Sequence, residues 1–196
     1  MQDFSLWLST GFSHVCDLSA YDHILFIILI SIPYSLKDWK ELLIRITAFT
    51  IGHSITLALG AFRLINISSD LVELLIVVTI LFSAILLIVQ REKDKNSDKL
   101  NFGLVLFFGC IHGLGFSQFL KSMFGPDESL LLPLFSFNIG IEIAQLLVLF
   151  CIQIFCLFLT SIFRVKTKDL NFFTGSAIFG IAILLFFERL NHLFLK

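Results

Sequence analysis

The chain has 196 residues, 57% of them hydrophobic and 24 of them phenylalanine, and its mean hydropathy is +0.94. An ordinary soluble domain is roughly 45–50% apolar and about 25% charged, so we expect an integral protein of the lipid bilayer. The net charge of −1 offers no basic surface and argues against nucleic acid as a partner.

Six apolar segments are long enough to span a bilayer, which takes about 20 helical residues. They cover residues 14–34, 45–62, 70–89, 101–122, 132–163 and 170–194. The longest polar interruption is the ten-residue stretch 90–99, so we expect one all-α transmembrane domain of about six helices. No Lys or Arg precedes Lys37, which favours a retained first helix over a cleaved leader.

Basic residues between the helices predict the orientation of the bundle. Ten lie in the segments 37–45, 91–99 and 164–168, whereas the other side has four, namely Arg63, Lys121, Arg189 and Lys196. The positive-inside rule makes the three richer segments cytoplasmic. Both termini are therefore predicted on the non-cytoplasmic side.

The first helix carries an adjacent acid and base in the stretch SAYDHILFIILI (Ser19–Ile30). Ionisable groups inside a bilayer cost a few kcal/mol each and usually face a bundle interior or a watery cavity. Asp22 and His23 are therefore candidate metal ligands. Asp22 is also suited to orienting an imidazole ligand, by accepting a hydrogen bond from the ring nitrogen that does not bind the metal. His14 lies nearer the outer end of this helix and is a candidate ligand on the way in.

The second helix has a polar stripe in which Thr50, His53 and Thr56 are spaced i, i+3 and i+6, with Ser54 beside it. Hydroxyls in helices often hydrogen-bond to a carbonyl one turn earlier, so a purely structural role for the hydroxyls stays open. We take His53 as a candidate ligand and the hydroxyls as its supporting polar shell.

The third and fourth helices each contribute one ionisable group. Glu73 lies in the first turn of the third helix, where a carboxylate suits the helix N-terminus, and it is a candidate gateway residue. His112 on the fourth helix is a candidate ligand between Gly109 and Gly113, a small-residue pair that permits close helix packing.

The fifth helix carries Asn138, Glu142 and Gln145 at i, i+4 and i+7, within about 60° of one face. Asn138 and Gln145 are equally suited to hydrogen bonds between helices. Glu142 is the stronger candidate ligand, because a carboxylate in the bilayer demands a cation or a proton. On the sixth helix, His192 near Glu188 is interpreted as an interfacial pair.

Counting along the helices at 1.5 Å per residue places these groups at a similar depth. His53 is about 12 Å and His112 about 16 Å from the cytoplasmic end of its helix, and Glu142 is about 15 Å from the outer end. Imidazole and carboxylate together suit a borderline divalent metal such as Ni²⁺, Co²⁺ or Zn²⁺. The two carboxylates, Asp22 and Glu142, would balance the charge of one such ion.

Four motifs in chain order carry a resemblance to a known family. They are GFSHVCDLSAYDHILF (Gly11–Phe26), TAFTIGHSITLALG (Thr47–Gly60), FGCIHGLGFS (Phe108–Ser117) and FNIGIEIAQ (Phe137–Gln145). Together they resemble the HupE/UreJ family of small bacterial membrane proteins over nearly the whole chain. The resemblance implies a polytopic inner-membrane permease for nickel or cobalt, and it carries the family's polar positions onto His14, Asp22, His23, His53, His112 and Glu142.

The leading hypothesis is therefore a permease that holds a divalent metal at these six residues, with Asn138, Gln145, Ser54 and Thr56 as the supporting polar shell. The alternative is an intramembrane zinc-dependent hydrolase acting on a lipid-like substrate, with Glu142 as general base. A structural or sensory subunit, in which the polar groups pair only with one another, is the third class. The sequence leaves open which metal is carried, which ion is coupled to it and whether the chain forms a homo-oligomer.

Overall fold

The computed structural model describes residues 4–17, 21–89, 98–123 and 129–194. Within these ranges the chain is all-α, which confirms the predicted fold class. The helices are α1 (Phe4–Cys16), α2 (Asp22–Ser31), α3 (Trp39–Ala61), α4 (Ser69–Val89), α5 (Asp98–Met123), α6 (Leu131–Ser161) and α7 (Thr167–Phe194). A short 3-10 turn over Leu36–Asp38 leads into α3.

Five helical segments of the described chain are long and apolar enough to cross a membrane. They are Leu36–Ala61, Ser69–Val89, Phe102–Leu120, Leu131–Ser161 and Thr167–Phe194. Large apolar side chains such as Phe150 on α6 and Phe173 on α7 are exposed on the outside of the bundle. An apolar exterior of this kind suits lipid contact and fits a multi-pass membrane protein.

The prediction of one continuous helix over residues 14–34 is wrong. The structure has two shorter helices there, since α1 ends at Cys16 and α2 begins only at Asp22. An acidic group opposes the negative end of a helix dipole and suits the positive end. Asp22 occupies the first turn of α2, so the sequence favours the start of a new helix there.

Glycines set the contact between α1 and α6. A Cβ added at Gly11 would meet the backbone of Phe137, and one added at Gly140 would meet the backbone of Leu8. As the residue number rises along α1 it falls along α6, so the two helices run antiparallel. The first residues of α1 therefore lie towards the middle of α6.

The other two main helix pairs are α3 with α5 and α4 with α7. Gly109 lies against the backbone of Phe49, and Gly113 lies against the backbone of His53, so α3 and α5 run parallel in close contact. Helices α4 and α7 are antiparallel, as the ion pair between Glu73 and Arg189 at the start of one and the end of the other shows. The parallel direction of α3 and α5 agrees with the prediction that both helices begin on the same side of the membrane.

The orientation in the membrane stays a prediction. Of the basic residues on which it depends, Arg91, Lys93, Lys95 and Lys196 lie outside the described residues. Arg45, counted with the first basic segment, is a buried residue of α3, and its guanidinium lies 4.6 Å from the ring centre of Tyr34.

Candidate metal site

Three histidines from three different helices meet in the interior of the bundle. His14 is near the end of α1, His23 is at the start of α2, and His53 is in the middle of α3. One ligand atom from each can be chosen so that all three lie within 4.8 Å of one another. The break between α1 and α2 allows two residues only nine apart in sequence to face the same point.

His112 of α5 extends this group. Its ring centre lies 5.3 Å from that of His23. The close contact of α3 with α5 positions it, because Gly113, the next residue, lies against the backbone of His53. Four imidazoles thus come from four helices, and we call His14, His23, His53 and His112 the histidine cluster.

Two rings of the cluster are oriented by hydrogen bonds through Nδ1. The Nδ1 of His23 lies 3.1 Å from a carboxylate oxygen of Asp22, and the Nδ1 of His112 lies 2.9 Å from the carbonyl oxygen of Phe108. Since both acceptors lack a proton to give, each Nδ1 is the donor in its hydrogen bond. The Nε2 atoms therefore carry the free lone pairs, as in metal-ligating histidines.

Five further ring nitrogens of the cluster are buried without a hydrogen-bond partner among the described residues. His53 is 0% exposed, His112 1% and His23 3%. Among the described residues, no partner contacts the Nε2 atoms of His14, His23 and His112 or either nitrogen of His53. A buried polar atom without a partner costs about 1–3 kcal/mol, so this concentration points to a ligand. A set of imidazoles fits a borderline divalent metal ion.

Aromatic rings enclose the cluster. Phe49 lies 5.1 Å from His112 and 6.2 Å from His53 between ring centres, and Phe26 lies 5.6 Å from His112. On the other side, Phe116 packs 4.3 Å from His14 and stacks on Phe137. Side chains of this kind exclude water, which strengthens every electrostatic interaction inside.

The cluster can be reached from one side. An open cavity of about 760 Å³ is lined by the end of α1 and by two phenylalanines of α5, and His14, Cys16 and Asp17 face it. On the opposite side, Phe26 lies 5.0 Å from Phe49 and 5.8 Å from Phe108. Beyond these rings lies a smaller cavity of about 60 Å³ that Tyr34 and Arg45 help to line.

The structure places the predicted polar residues of α6 in contact with α3. The hydroxyl of Thr47 donates to Glu142, that of Thr50 to Gln145 and that of Ser54 to Asn138. Glu142 does not belong to the set of ligand atoms that lie within 4.8 Å of one another. The predicted depth placed Glu142 in one site with the histidines. In the structure, the carboxylate of Glu142 accepts the hydrogen bond of the Thr47 hydroxyl on α3.

Two further predicted residues have structural contacts. Thr56 donates its hydroxyl to the carbonyl oxygen of Cys110 over 2.6 Å and so joins α3 to α5. Glu73, the candidate gateway residue, forms an ion pair of 2.8 Å with Arg189 of α7, and both side chains are partly exposed.

Thr47 did not emerge from the sequence. It lies three residues before Thr50, so the polar stripe of α3 begins one turn earlier than predicted. Extending the stripe backwards by one helical turn would have found it.

The comparisons with known proteins give one match. A family model described as HupE / UreJ protein matches residues 1–189. No curated protein and no solved structure matches the chain significantly.

Proposed function

The chain belongs to the HupE/UreJ family, and we propose that it is a multi-pass permease of the bacterial inner membrane for a divalent transition metal, nickel or cobalt. The observation that carries the proposal is the histidine cluster, in which five buried imidazole nitrogens lack hydrogen-bond partners among the described residues. Neutral imidazoles are ligands that Ni²⁺ and Co²⁺ accept readily.

His14, His23 and His53 would hold the ion first, since one ligand atom from each lies within 4.8 Å of the other two. His112, 5.3 Å from His23 between ring centres, is placed to supply a fourth nitrogen after a small shift. Asp22 offsets part of the positive charge and orients His23. The proposed ligands are neutral side chains, and the one carboxylate contacts a ligand rather than the ion. Such a site binds an ion weakly enough to release it.

The open cavity beside His14 supports a route to the cluster from one side. Asp17 faces this cavity and attracts cations towards it. On the opposite side, the rings of Phe26, Phe49 and Phe108 pack against one another, and this packing supports a closed route there in the described part of the chain. With the predicted orientation, the open side is the outer one and the closed side faces the cytoplasm.

One observation favours the permease over a zinc-dependent hydrolase. A hydrolase needs a general base within hydrogen-bond reach of the metal-bound water. The base considered for that reaction, Glu142, instead accepts a hydrogen bond from the hydroxyl of Thr47 on α3. Among the described residues, the ligand atoms that lie within 4.8 Å of one another belong to three imidazoles and include no carboxylate.

Metal accumulation in cells tests the proposal. Cells that express the chain should accumulate more nickel or cobalt than cells with an empty vector, and His53→Ala and His112→Ala should abolish the difference. His192→Ala, which alters an exposed histidine near the end of α7, is the matched control and should accumulate metal normally. Accumulation that is unchanged by either histidine substitution would overturn the proposal.

A further inference from the structure

Helices α3 and α6 are joined by a second set of polar contacts, which we call the α3–α6 seam. It consists of three hydroxyl contacts, from Thr47 to Glu142 at 2.8 Å, from Thr50 to Gln145 at 2.7 Å and from Ser54 to Asn138 at 2.6 Å. Gln145 is 0% exposed, so the seam reaches the interior of the bundle.

Oxygen atoms outnumber hydroxyl protons in the seam. The single proton of Ser54 has two acceptors at 2.6 Å, the carbonyl oxygen of Thr50 and the side chain of Asn138. The proton of Thr50 also has two neighbours, Gln145 and the carbonyl oxygen of Ile46. A buried oxygen without a donor is costly unless a cation approaches it.

Glu142 and Gln145 each have one buried atom without a partner. These atoms are Oε2 of Glu142 and Nε2 of Gln145, which have no hydrogen bond among the described residues. The oxygen and nitrogen of an amide are interchangeable in shape. When the side-chain amide of Gln145 is turned over, its Nε2 donates to the hydroxyl oxygen of Thr50, and the hydroxyl proton of Thr50 goes to the carbonyl oxygen of Ile46. The atom of Gln145 that has no partner is then the amide oxygen. Two buried oxygens then lack a donor, and one of them belongs to a carboxyl group.

We propose that the α3–α6 seam binds Na⁺ between the carboxylate of Glu142 and neutral oxygens of Thr47, Thr50 and Gln145. Hard cations prefer oxygen ligands, whereas the histidine cluster presents only nitrogen. One carboxylate with neutral oxygens cancels the charge of one monovalent ion, which removes the penalty of a bare carboxylate in the bilayer. The two sites therefore select different cations.

Helix α3 connects the seam to the histidine cluster. Ser54 is the residue after His53, and Thr50 is one turn before it. An ion held between α3 and α6 would fix the rotation of α3 and with it the position of His53. This coupling depends on the proposed metal transport, whereas Na⁺ binding at the seam does not.

Thermal unfolding of the purified full-length chain in detergent tests Na⁺ binding without any transition metal. NaCl replaces choline chloride at constant ionic strength and constant pH. A bound ion stabilises the fold, so Tm should rise by about 3–5 °C when Na⁺ reaches ten times its Kd. Glu142→Gln, which keeps the shape but removes the charge, should lose this shift, and Glu73→Gln should keep it.

Thr47→Val provides a second variant, because Thr47 is exposed and its replacement is compatible with folding. It should raise the Na⁺ concentration needed for half of the shift by about tenfold, the effect of one lost contact to a charged group. No shift in the wild type, or an equal shift with Glu142→Gln or with K⁺ in place of Na⁺, would overturn the proposal.

Metal uptake into vesicles, measured with Na⁺ and with choline outside, separates the two proposals. Uptake that needs Na⁺ in the wild type supports the coupling. Uptake that is the same in both media contradicts the coupling but leaves the metal permease intact, whereas no uptake in either medium contradicts the permease and not the Na⁺ site.

Discussion

His23 donates its Nδ1–H to the carboxylate of Asp22 over 3.1 Å, so its neighbour in the sequence decides which ring nitrogen faces the other histidines. The backbone N–H of His23 donates to the same carboxylate oxygen at 2.9 Å. The pair is thus held at the first turn of α2, where the helix dipole also favours a negative charge. Asp22 orients a ligand of the proposed site.

The first prediction concerns this pair. Asp22→Asn keeps the size of the side chain but removes the charge that stabilises the orientation of His23, so we expect metal affinity to fall by about 10–100-fold. Calorimetric titration of the purified chain with nickel measures it. An unchanged affinity would mean that Asp22 has no part in orienting the ligand.

The second prediction concerns the number of metal ions bound. Elemental analysis of purified protein should give one nickel or cobalt ion per chain, and His53→Ala should lower the affinity by more than about 100-fold, since it removes a ligand itself. His192→Ala is the matched control, because His192 is an exposed residue near the end of α7. Equal metal content in both variants would contradict a site at the histidine cluster.

The sequence predicted much of the fold, because hydropathy and helix length are local properties. The predicted helices 45–62, 70–89, 101–122, 132–163 and 170–194 lie close to α3–α7. Helix α1 was missed, since Ser5, Ser9, Thr10 and Ser13 interrupt its apolar residues. Its contact with α6 through Gly11 and Gly140 depends on tertiary packing, which no single segment reveals.

The site was predictable in its residue types but not in its partners. Counting residues predicted a similar depth for His53 and His112; the depth stays a prediction, and the centres of the two rings lie 5.9 Å and 5.3 Å from that of His23. It could not show which helices are neighbours, so the contact of Glu142 with Thr47 was not predicted, and the role of Glu142 as a ligand stays a prediction. His14, predicted as a ligand on the way in, lines the open cavity, and its ring centre lies 4.7 Å from that of His23.

The third prediction tests the contact between α3 and α5. A Cβ at Gly113 would meet the backbone of His53, so Gly113→Ala should push the helices apart and destabilise the chain by about 1–3 kcal/mol. It should also weaken metal binding, because His53 and His112 lie on either side of this contact. Thermal unfolding and metal titration measure the two effects.

Gly180→Ala is the control for that substitution. Nothing lies within 4 Å of a Cβ added at Gly180, and the residue is in the middle of α7. Alanine there should stabilise the helix by about 0.5–1 kcal/mol. If Gly113→Ala behaves like Gly180→Ala, the close contact of α3 with α5 is not required.

The fourth prediction tests the orientation and the open cavity together. Cys16 faces the cavity, so a variant that keeps only this cysteine should react with a membrane-impermeant maleimide added to intact cells. Bound nickel should slow the reaction, because His14 lies on the same wall. Labelling that requires permeabilised cells would reverse the predicted orientation.

Metal flux into proteoliposomes tests the central claim most directly. The purified chain is reconstituted with a metal-sensitive dye inside the vesicles, and nickel or cobalt is added outside. We predict rapid entry with the wild type and with His192→Ala, and entry at the rate of protein-free vesicles with His53→Ala. Wild-type vesicles that take up metal no faster than protein-free ones, or as fast as those with His53→Ala, would contradict a permease that works through the histidine cluster.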